Sequence, residues 1–370
     1  MYTFFMKRAI ELAKKGRGSV TPNPLVGAVI VKDGKIIGEG YHERYGTNHA
    51  EVNAFNNASE DVSGATIYVT LEPCSHYGNT PPCADKIIEK RISKVVVGSL
   101  DPNPLVSGRG IERIREAGIE VIIGVLEEEC LRLNEIFMKY IVDKKPYVIM
   151  KSAMSLDGKI ATAKGESKWI TGEKARLRVQ ELRNDITAIM VGVNTVKTDD
   201  PELTCRLEGG VNPIRIIVDS SLRIPIDSKI VKTAHKIRTI IATTINASKE
   251  DIKRLEEKNI EVLLIKDNED RVDLVELMKV LGEKKIDSIL LEGGATLNSE
   301  ALKSGIVNKV QIYIAPKIIG GDKARGPVGG MGIDKLCDAY KVNNISYEVI
   351  GDDILIEGYI EGDEKACLPE

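Results

Sequence analysis

Short apolar runs recur along the chain, and their period predicts its elements. Residues 2–15 predict a first helix, with Phe4, Phe5, Ile10 and Leu12 among its apolar positions. Residues 26–41 (VGAVIVKDGKIIGEGY) read as a β-hairpin, because two β-rich runs meet at Asp33-Gly34, a type I′ turn signal. The stretch Thr21-Pro22-Asn23-Pro24 before it is a rigid loop that projects Asn23, and His42 follows the second strand. His49 opens a second helix (HAEVNAFNNAS), and 66–71 and 94–99 are strands. Asp101-Pro102-Asn103-Pro104 reads as a turn, a helix leads from Gly108 to Gly118, residues 120–123 form a strand, and one closing helix is expected over 127–143. Strands alternating with helices predict a three-layer α/β domain with a mixed sheet.

At Lys144-Lys145-Pro146 the rhythm stops and then restarts with a strand from Tyr147 to Ser152. Further strands are expected at 187–192, 214–219, 237–243, 260–265, 287–292 and 308–314, helices at 272–281 and 296–303, and a last hairpin near 346–361. The pattern predicts a second α/β domain. The expected division is residues 1–144, residues 146–362, and a loose charged tail at 363–370. A chain of 370 residues suits two domains, since single cores stop growing near about 250–300 residues. No internal repeat relates the halves.

Composition narrows the class. A net charge of −3 supplies no basic field to gather nucleic acid. No apolar run approaches the roughly 18 residues of a membrane span, and the N-terminus reads as a helix rather than a signal peptide. Cys130, Cys205, Cys337 and Cys367 are far apart, unlike a secreted disulfide framework, so a cytoplasmic protein is expected.

Candidate chemistry is concentrated between residues 49 and 83. His49-Ala50-Glu51 is followed by Thr70-Leu71-Glu72-Pro73-Cys74 and by Pro81-Pro82-Cys83. One imidazole and two thiolates suit tetrahedral Zn2+, and three protein ligands leave one position open, as in catalytic sites. Bound zinc lowers the pKa of water to about 7, and Glu51 is placed to take a proton from that water and return it to a leaving amine. H-x-E followed by P-C-x-x-C marks zinc nucleobase deaminases. Here the second cysteine comes after the turn-rich insert 75–82, and Cys83 is expected in the first turn of a helix. His76 in the insert is a loop or pocket residue rather than a fourth ligand.

The second half has no metal set and no G-x-G-x-x-G fingerprint. Its candidate phosphate site is Gly293-Gly294 before a helix that begins Ala295-Thr296. The glycine-rich run 320–332 carries Lys323 and Arg325 and reads either as a loop over a phosphate or as plain surface. Residues 151–158, Trp169 in a polar loop, and Asn194-Thr195 with Asp199 cluster near strand ends, where open α/β sheets bind ligands.

Across nearly its whole length the chain resembles the bifunctional riboflavin-biosynthesis deaminase/reductase family. The resemblance is carried by TPNPLVGAVIV, HAEVNAF, TLEPCSHYGNTPPC, DPNP, KSAMSLDGKIA, SKWITG, VGVNTVKTDDPELTCR and LEGGATLN, in that order. It implies a cytidine-deaminase-like domain joined to a dihydrofolate-reductase-like domain. The implied substrate is a small pyrimidine ribosyl 5′-phosphate, deaminated by the first domain and reduced to the ribityl compound by the second with NADPH as cofactor. Carried over by motif, His49, Cys74 and Cys83 bind zinc and Glu51 shuttles protons. Asn23 and His42 are expected at the substrate from their place beside the hairpin. The resemblance assigns Ser167, Arg183, Leu203, Arg206 and Glu292 to substrate. It assigns Ala153, Trp169, Thr195, Asp199, Ser221 and the segment from Gly294 through Ala295 and Thr296 to NADP(H), while Lys151 is a further reductase-site candidate. A homo-oligomer is implied as well. Two departures stand out: Asn48 where the family often has Pro, and Asn79 where Arg is usual. Two rival readings share part of the pattern, an RNA-base deaminase and a deaminase with a non-catalytic ligand-binding C-terminal domain.

Overall fold

The computed structural model describes residues 2–75, 77, 81–103 and 107–360; His76, Asn79, Pro104 and the tail with Cys367 lie outside the described residues. The chain divides into two compact units, one ending at Lys144 and the other starting at Lys145.

In the first unit the elements run α1 (Tyr2–Ala13), β1 (Gly27–Lys32), β2 (Lys35–Tyr41), α2 (Ala50–Asn56), β3 (Thr66–Leu71), α3 (Cys83–Glu89), β4 (Lys94–Ser99), α4 (Arg109–Glu116), β5 (Glu120–Ile123), α5 (Glu127–Leu133) and α6 (Glu135–Asp143). Among the described residues they form one mixed sheet in the order β2-β1-β3-β4-β5, antiparallel at β1–β2 and β1–β3 and parallel beyond. Side chains alternate across a strand, so each buried strand feeds two cores. Ala28, Ile30, Ile67, Val69, Val95 and Val97 face one core with Ala54, Ala84 and Ile114 of the helices α2, α3 and α4. Val29, Val31, Tyr68 and Val96 face the other, against Phe5, Met6 and Ala9 of α1. Gly40 allows α2 to lie directly on β2, because a Cβ there would stand 2.3 Å from the Ala54 nitrogen. That close seat fixes the start of α2, where His49 and Glu51 sit.

The helix expected over 127–143 is two helices. They break at Asn134, whose amide is committed elsewhere: Leu25 N–H donates to its Oδ1 at 2.8 Å, and its Nδ2 donates to the Leu25 carbonyl at 2.9 Å. The first helix stops at Ala13 and passes into a tighter turn over Lys14–Gly16.

The second unit contains β6 (Tyr147–Ser155), α7 (Glu173–Asp185), β7 (Ala188–Gly192), α8 (Val193–Asp199), β8 (Ile214–Val218), α9 (Lys229–Lys232), β9 (Thr239–Thr244), α10 (Lys249–Glu256), β10 (Ile260–Ile265), β11 (Asp267–Asn268), β12 (Arg271–Val272), α11 (Leu274–Glu283), β13 (Ser288–Leu291), α12 (Ala295–Lys303), β14 (Lys309–Ala315), β15 (Val342–Ile350) and β16 (Asp353–Ile360). Its described large sheet has the order β10-β9-β8-β7-β13-β6-β14-β16-β15. The pairs from β10 to β14 are parallel, and β16 and β15 add antiparallel strands at one edge. Strand β6 runs three residues past its expected end, because Ala153, Met154 and Ser155 pair with Tyr313, Ile314 and Ala315. Val148, Met150, Met190, Ile216, Ile240 and Leu291 line one sheet face, covered by Leu277 and Leu281 of α11 and Ala301 of α12. With β8, β7, β13 and β6 adjacent and parallel, the segments after their C-terminal ends gather on one rim of the sheet, where open α/β sheets hold ligands.

Candidate functional site

The first constellation converges as its spacing predicted. His49 caps α2, Cys74 follows β3, and Cys83 opens α3. The His49 Nδ1 lies 3.5 Å from Cys74 Sγ and 3.3 Å from Cys83 Sγ, and all three donor atoms fall within 4.8 Å of one another. With metal–ligand bonds of about 2.0 Å to nitrogen and 2.3 Å to sulfur, tetrahedral donors stand about 3.5–3.8 Å apart, so the donor set fits a single ion. Backbone completes the frame: Cys83 N–H donates to Cys74 Sγ at 3.3 Å, and Ala84 N–H donates to the Cys74 carbonyl at 3.2 Å.

Electrostatics agree with a cation site. The neighbouring Cys83 thiol, and then His49, pull the Cys74 thiol well below its ordinary range. In turn Cys74 pushes the His49 imidazole up to about 9. Cys83 moves upward, because Cys74 beside it carries the negative charge and Cys83 is buried. A thiolate against a positive ring is the charge pattern that a bound cation satisfies, with proton release. Glu51, in the first turn of α2, is 3% exposed, and burial raises its carboxyl above the usual range. A carboxyl so placed, beside the donor cluster, is in reach of the protons that the reaction moves.

Asn23 and His42 flank this cluster. His42 is buried, its ring packs edge-on to that of His49 with centroids 5.7 Å apart, and Nδ1 stands 3.0 Å from the Asn48 carbonyl. That contact makes Nδ1 the protonated nitrogen, so Nε2 accepts from Asn23 Nδ2 at 3.0 Å. The Asn23 amide is thereby oriented from behind. The departure at Asn48 leaves this carbonyl in use.

In the second unit, Arg183 of α7 and Glu292 just after β13 form a nearly buried pair. Arg183 Nη2 meets Glu292 Oε2 at 2.7 Å, Nε meets Oε1 at 3.3 Å, and the side chains are 10% and 13% exposed. A third donor, Arg183 Nη1, reaches the Thr204 carbonyl at 3.0 Å. Burial alone would raise the Glu292 carboxyl, but Arg183, Lys151 and Arg206 outweigh it and hold it at about 2. Arg183, Glu292, Lys151 and Arg206 therefore share one field. Lys151, on β6, places its Nζ 6.0 Å from the Tyr313 ring centroid. The Arg206 side chain is exposed, and its backbone N–H donates to Gln180 Oε1 at 2.9 Å. Leu203 is buried in a left-handed turn with φ +52°.

The other candidates lie along the same rim. Gly294 caps α12, with Ala295 and Thr296 in its first turn, and a Cβ at Gly294 would stand 3.5 Å from Thr195 Oγ1 of α8, so these two segments are neighbours. Asp199 ends α8 and feels the charge of Lys168. Trp169 is 57% exposed, with the Arg176 guanidinium 4.8 Å from its ring centroid. Ser167 is half-buried in the same loop. Ala153 packs against α7, and Ser221 is exposed just past β8. Residues outside any motif hold these loops. Lys317 Nζ donates to the Trp169 and Ile170 carbonyls at 2.8 and 2.7 Å, and Asp353 accepts from Gly172 N–H at 2.7 Å. The buried Asp219 accepts from Ile224 N–H at 2.8 Å and braces the loop carrying Ser221. Their partners lie far away in sequence or are backbone groups, so no motif announces them.

Comparison with known proteins assigns both units. The profile of the cytidine and deoxycytidylate deaminase zinc-binding region matches residues 2–99, and that of the RibD C-terminal domain matches residues 146–356. The chain is 55% identical over 353 residues to riboflavin biosynthesis protein RibD of Actinobacillus pleuropneumoniae, covering 95% of this chain and 94% of that protein. It is 46% identical to the RibD of Aquifex aeolicus over 95% of this chain and 96% of the relative. Among solved structures, RibD of Acinetobacter baumannii superposes with a TM-score of 0.85 at 38% identity, covering 97% and 98% of the two chains. The diaminohydroxyphosphoribosylaminopyrimidine deaminase/5-amino-6-(5-phosphoribosylamino)uracil reductase of Thermotoga maritima superposes with a TM-score of 0.83 at 42% identity over the same shares.

Proposed function

The chain belongs to the RibD family of riboflavin biosynthesis, bifunctional deaminase/reductases, and from that premise we propose how its residues divide the two reactions. The first unit hydrolyses the ring amino group of 2,5-diamino-6-(5-phosphoribosylamino)pyrimidin-4(3H)-one, releasing ammonia. The second reduces the ribosyl chain of the resulting 5-amino-6-(5-phosphoribosylamino)uracil to ribityl. The observation that carries this reading is the convergence of His49, Cys74 and Cys83 within 4.8 Å, with the buried Glu51 in the same helix turn.

His49, Cys74 and Cys83 would hold Zn2+, which when bound brings the pKa of a coordinated water to about 7. Glu51 accepts the proton of the attacking water and delivers it to the departing amine, one carboxylate serving in both directions. The Asn23 amide, fixed by His42, offers its remaining polar atoms to the pyrimidine. In the second unit NADPH would supply the hydride at the ribose C1′. Gly294, Ala295, Thr296 and Thr195 offer backbone N–H and hydroxyl groups to its phosphates, and the exposed Trp169 offers a stacking face, with Ala153, Asp199 and Ser221 along the same rim. Arg183 is already committed to Glu292, so the fork open to the substrate phosphate is that of Arg206. Arg183 acts by aiming Glu292, beside Ser167 and Leu203, at the sugar. Lys151, in the field of Glu292, is the candidate proton donor.

Metal removal separates the halves. Chelator-treated, metal-free protein is expected to lose ammonia release, to recover it on adding Zn2+, and to keep NADPH oxidation with the deaminated substrate. Full ammonia release from protein shown to be metal-free would contradict the assignment.

We also place the enzyme in the cytoplasm, a setting supported by the free thiols of Cys130, Cys205 and Cys337. It acts on a small molecule and not on nucleic acid, and it works as a homo-oligomer. Ile345, Tyr347 and Val349 on β15, the edge strand among the described residues, are 62%, 78% and 66% exposed, a large apolar stripe. Tyr347→Lys is expected to lower the mass observed in light scattering; an unchanged oligomer would remove β15 from the interface.

A further inference from the structure

Glu72, two residues before Cys74, is buried and spends its carboxylate on four backbone N–H groups of a distant segment. Oε2 accepts from Gly108 at 3.0 Å and from Asp101 at 3.4 Å, and Oε1 accepts from Gly110 at 3.1 Å and from Ile111 at 3.4 Å. Asp101 precedes the helix, and the other three groups open α4, whose own N-cap is Gly108 and has no side chain to offer. The next residue repeats the contact: a Cβ on Gly110 would stand 2.0 Å from the Pro73 carbonyl oxygen, so only glycine lets the ligand turn rest on α4. On the far side of Cys74, the Ser75 carbonyl accepts from Arg113 Nη1 of α4 at 3.4 Å, and Arg113 Nε pairs with Asp85 of α3 at 2.9 Å. Cys74 is thus gripped from both sides by α4, while its sulfur receives the Cys83 N–H from α3.

We propose that Glu72 is a positioning residue for the deamination: by holding Asp101 and the first turn of α4 against the 72–75 turn, it sets the direction of the Cys74 thiolate toward the metal. Capping α4 would stabilise the helix from any nearby acceptor. Here the acceptor sits on the ligand turn itself, 36 residues from Gly108, so the same bonds fix the ligand. Groups that orient metal ligands typically carry about 10–100-fold in metal affinity or activity. The inference rests on the zinc-dependent deamination proposed above.

The test compares full-length wild type with Glu72→Gln, which keeps the shape but turns an amide N–H toward backbone donors. Arg113→Gln is a milder second variant on a surface residue. Ile10→Ala, in the α1 core on the other face of the sheet, is the control for lost stability alone. Each is loaded with cobalt(II) for its thiolate charge-transfer and d–d spectrum, and with zinc for release to a chromogenic chelator and for ammonia kinetics. Glu72→Gln is expected to shift the cobalt bands, to release zinc about 10–100-fold faster and to lower deaminase kcat by a similar factor. KM should move little and reduction of the deaminated substrate should be unchanged. Arg113→Gln is expected to shift the bands in the same direction by less. Wild-type spectra and release rates in both variants would overturn the proposal. So would changes in Glu72→Gln no greater than those of Ile10→Ala at equal loss of Tm. Wild type that binds neither metal and releases no ammonia would instead sink the underlying deaminase assignment.

Discussion

Replacing Glu51 by Gln is expected to slow ammonia release by about 10²–10⁴-fold, the usual contribution of a positioned general acid–base. The variant should keep its metal and its reductase activity. Glu51 is buried beside the Cys83 thiol and the His49 ring. An amide of the same shape fills the same space, so the defect falls on proton transfer. Turnover of a saturating diaminopyrimidine substrate, with metal content measured on the same sample, checks this. Full turnover with metal bound would show that another group moves the proton.

The second large effect is expected at Arg183. Its guanidinium is the direct partner of Glu292, and both side chains are nearly buried. Arg183→Ala strands the carboxylate in a low-dielectric site, a change that typically costs about 3–5 kcal/mol. At roughly 2–4 °C per kcal/mol for a unit of this size, Tm falls by about 6–20 °C. Reductase activity should fall with it, since Glu292 would take up a proton or swing away. The double variant Arg183→Ala/Glu292→Gln should recover much of the stability without the activity. The pH dependence has a definite sign. Glu292 is held at about 2, below its ordinary 4.5, so the pair's stabilisation is complete above about 4.5 and is lost as the pH falls toward 2. Arg183→Ala should lack that acid-labile contribution. Calorimetry of the single and double variants decides it, and an Arg183→Ala protein as stable as wild type would show that the pair is not a structural element.

Legibility in the sequence followed the range of the interactions. The His49, Cys74 and Cys83 donor cluster was legible because its donors are chemically distinctive and each lies beside its own helix or strand end: His49 before α2, Cys74 after β3, Cys83 at the start of α3. The strands were legible from local apolar runs, and the hairpin from Asp33-Gly34, whose φ values of +50° and +76° are those of a type I′ turn. Helix α7 was not: Ala175, Val179 and Arg183 are its only buried positions, a stripe one residue wide at a spacing of four, and one member is an arginine whose partner lies 109 residues away. The break at Asn134 depends on Leu25, also 109 residues distant. The four N–H partners of Glu72 lie 29 to 39 residues downstream. Periodicity reports a residue's own element, and none of these pairings has a local signature. In the second unit the resemblance supplied residue names that physical reasoning alone had left at a glycine turn and a few strand-end polar groups.

One cuvette tests whether this chain performs the two reactions in order. Zinc-loaded protein is mixed with 2,5-diamino-6-(5-phosphoribosylamino)pyrimidin-4(3H)-one and NADPH, and ammonia and NADPH absorbance are followed together. Ammonia is expected first, then NADPH oxidation approaching the same stoichiometry. NADPH loss before any ammonia would reverse the order, ammonia without NADPH loss would leave only the first unit catalytic, and neither signal would contradict the assignment as a whole.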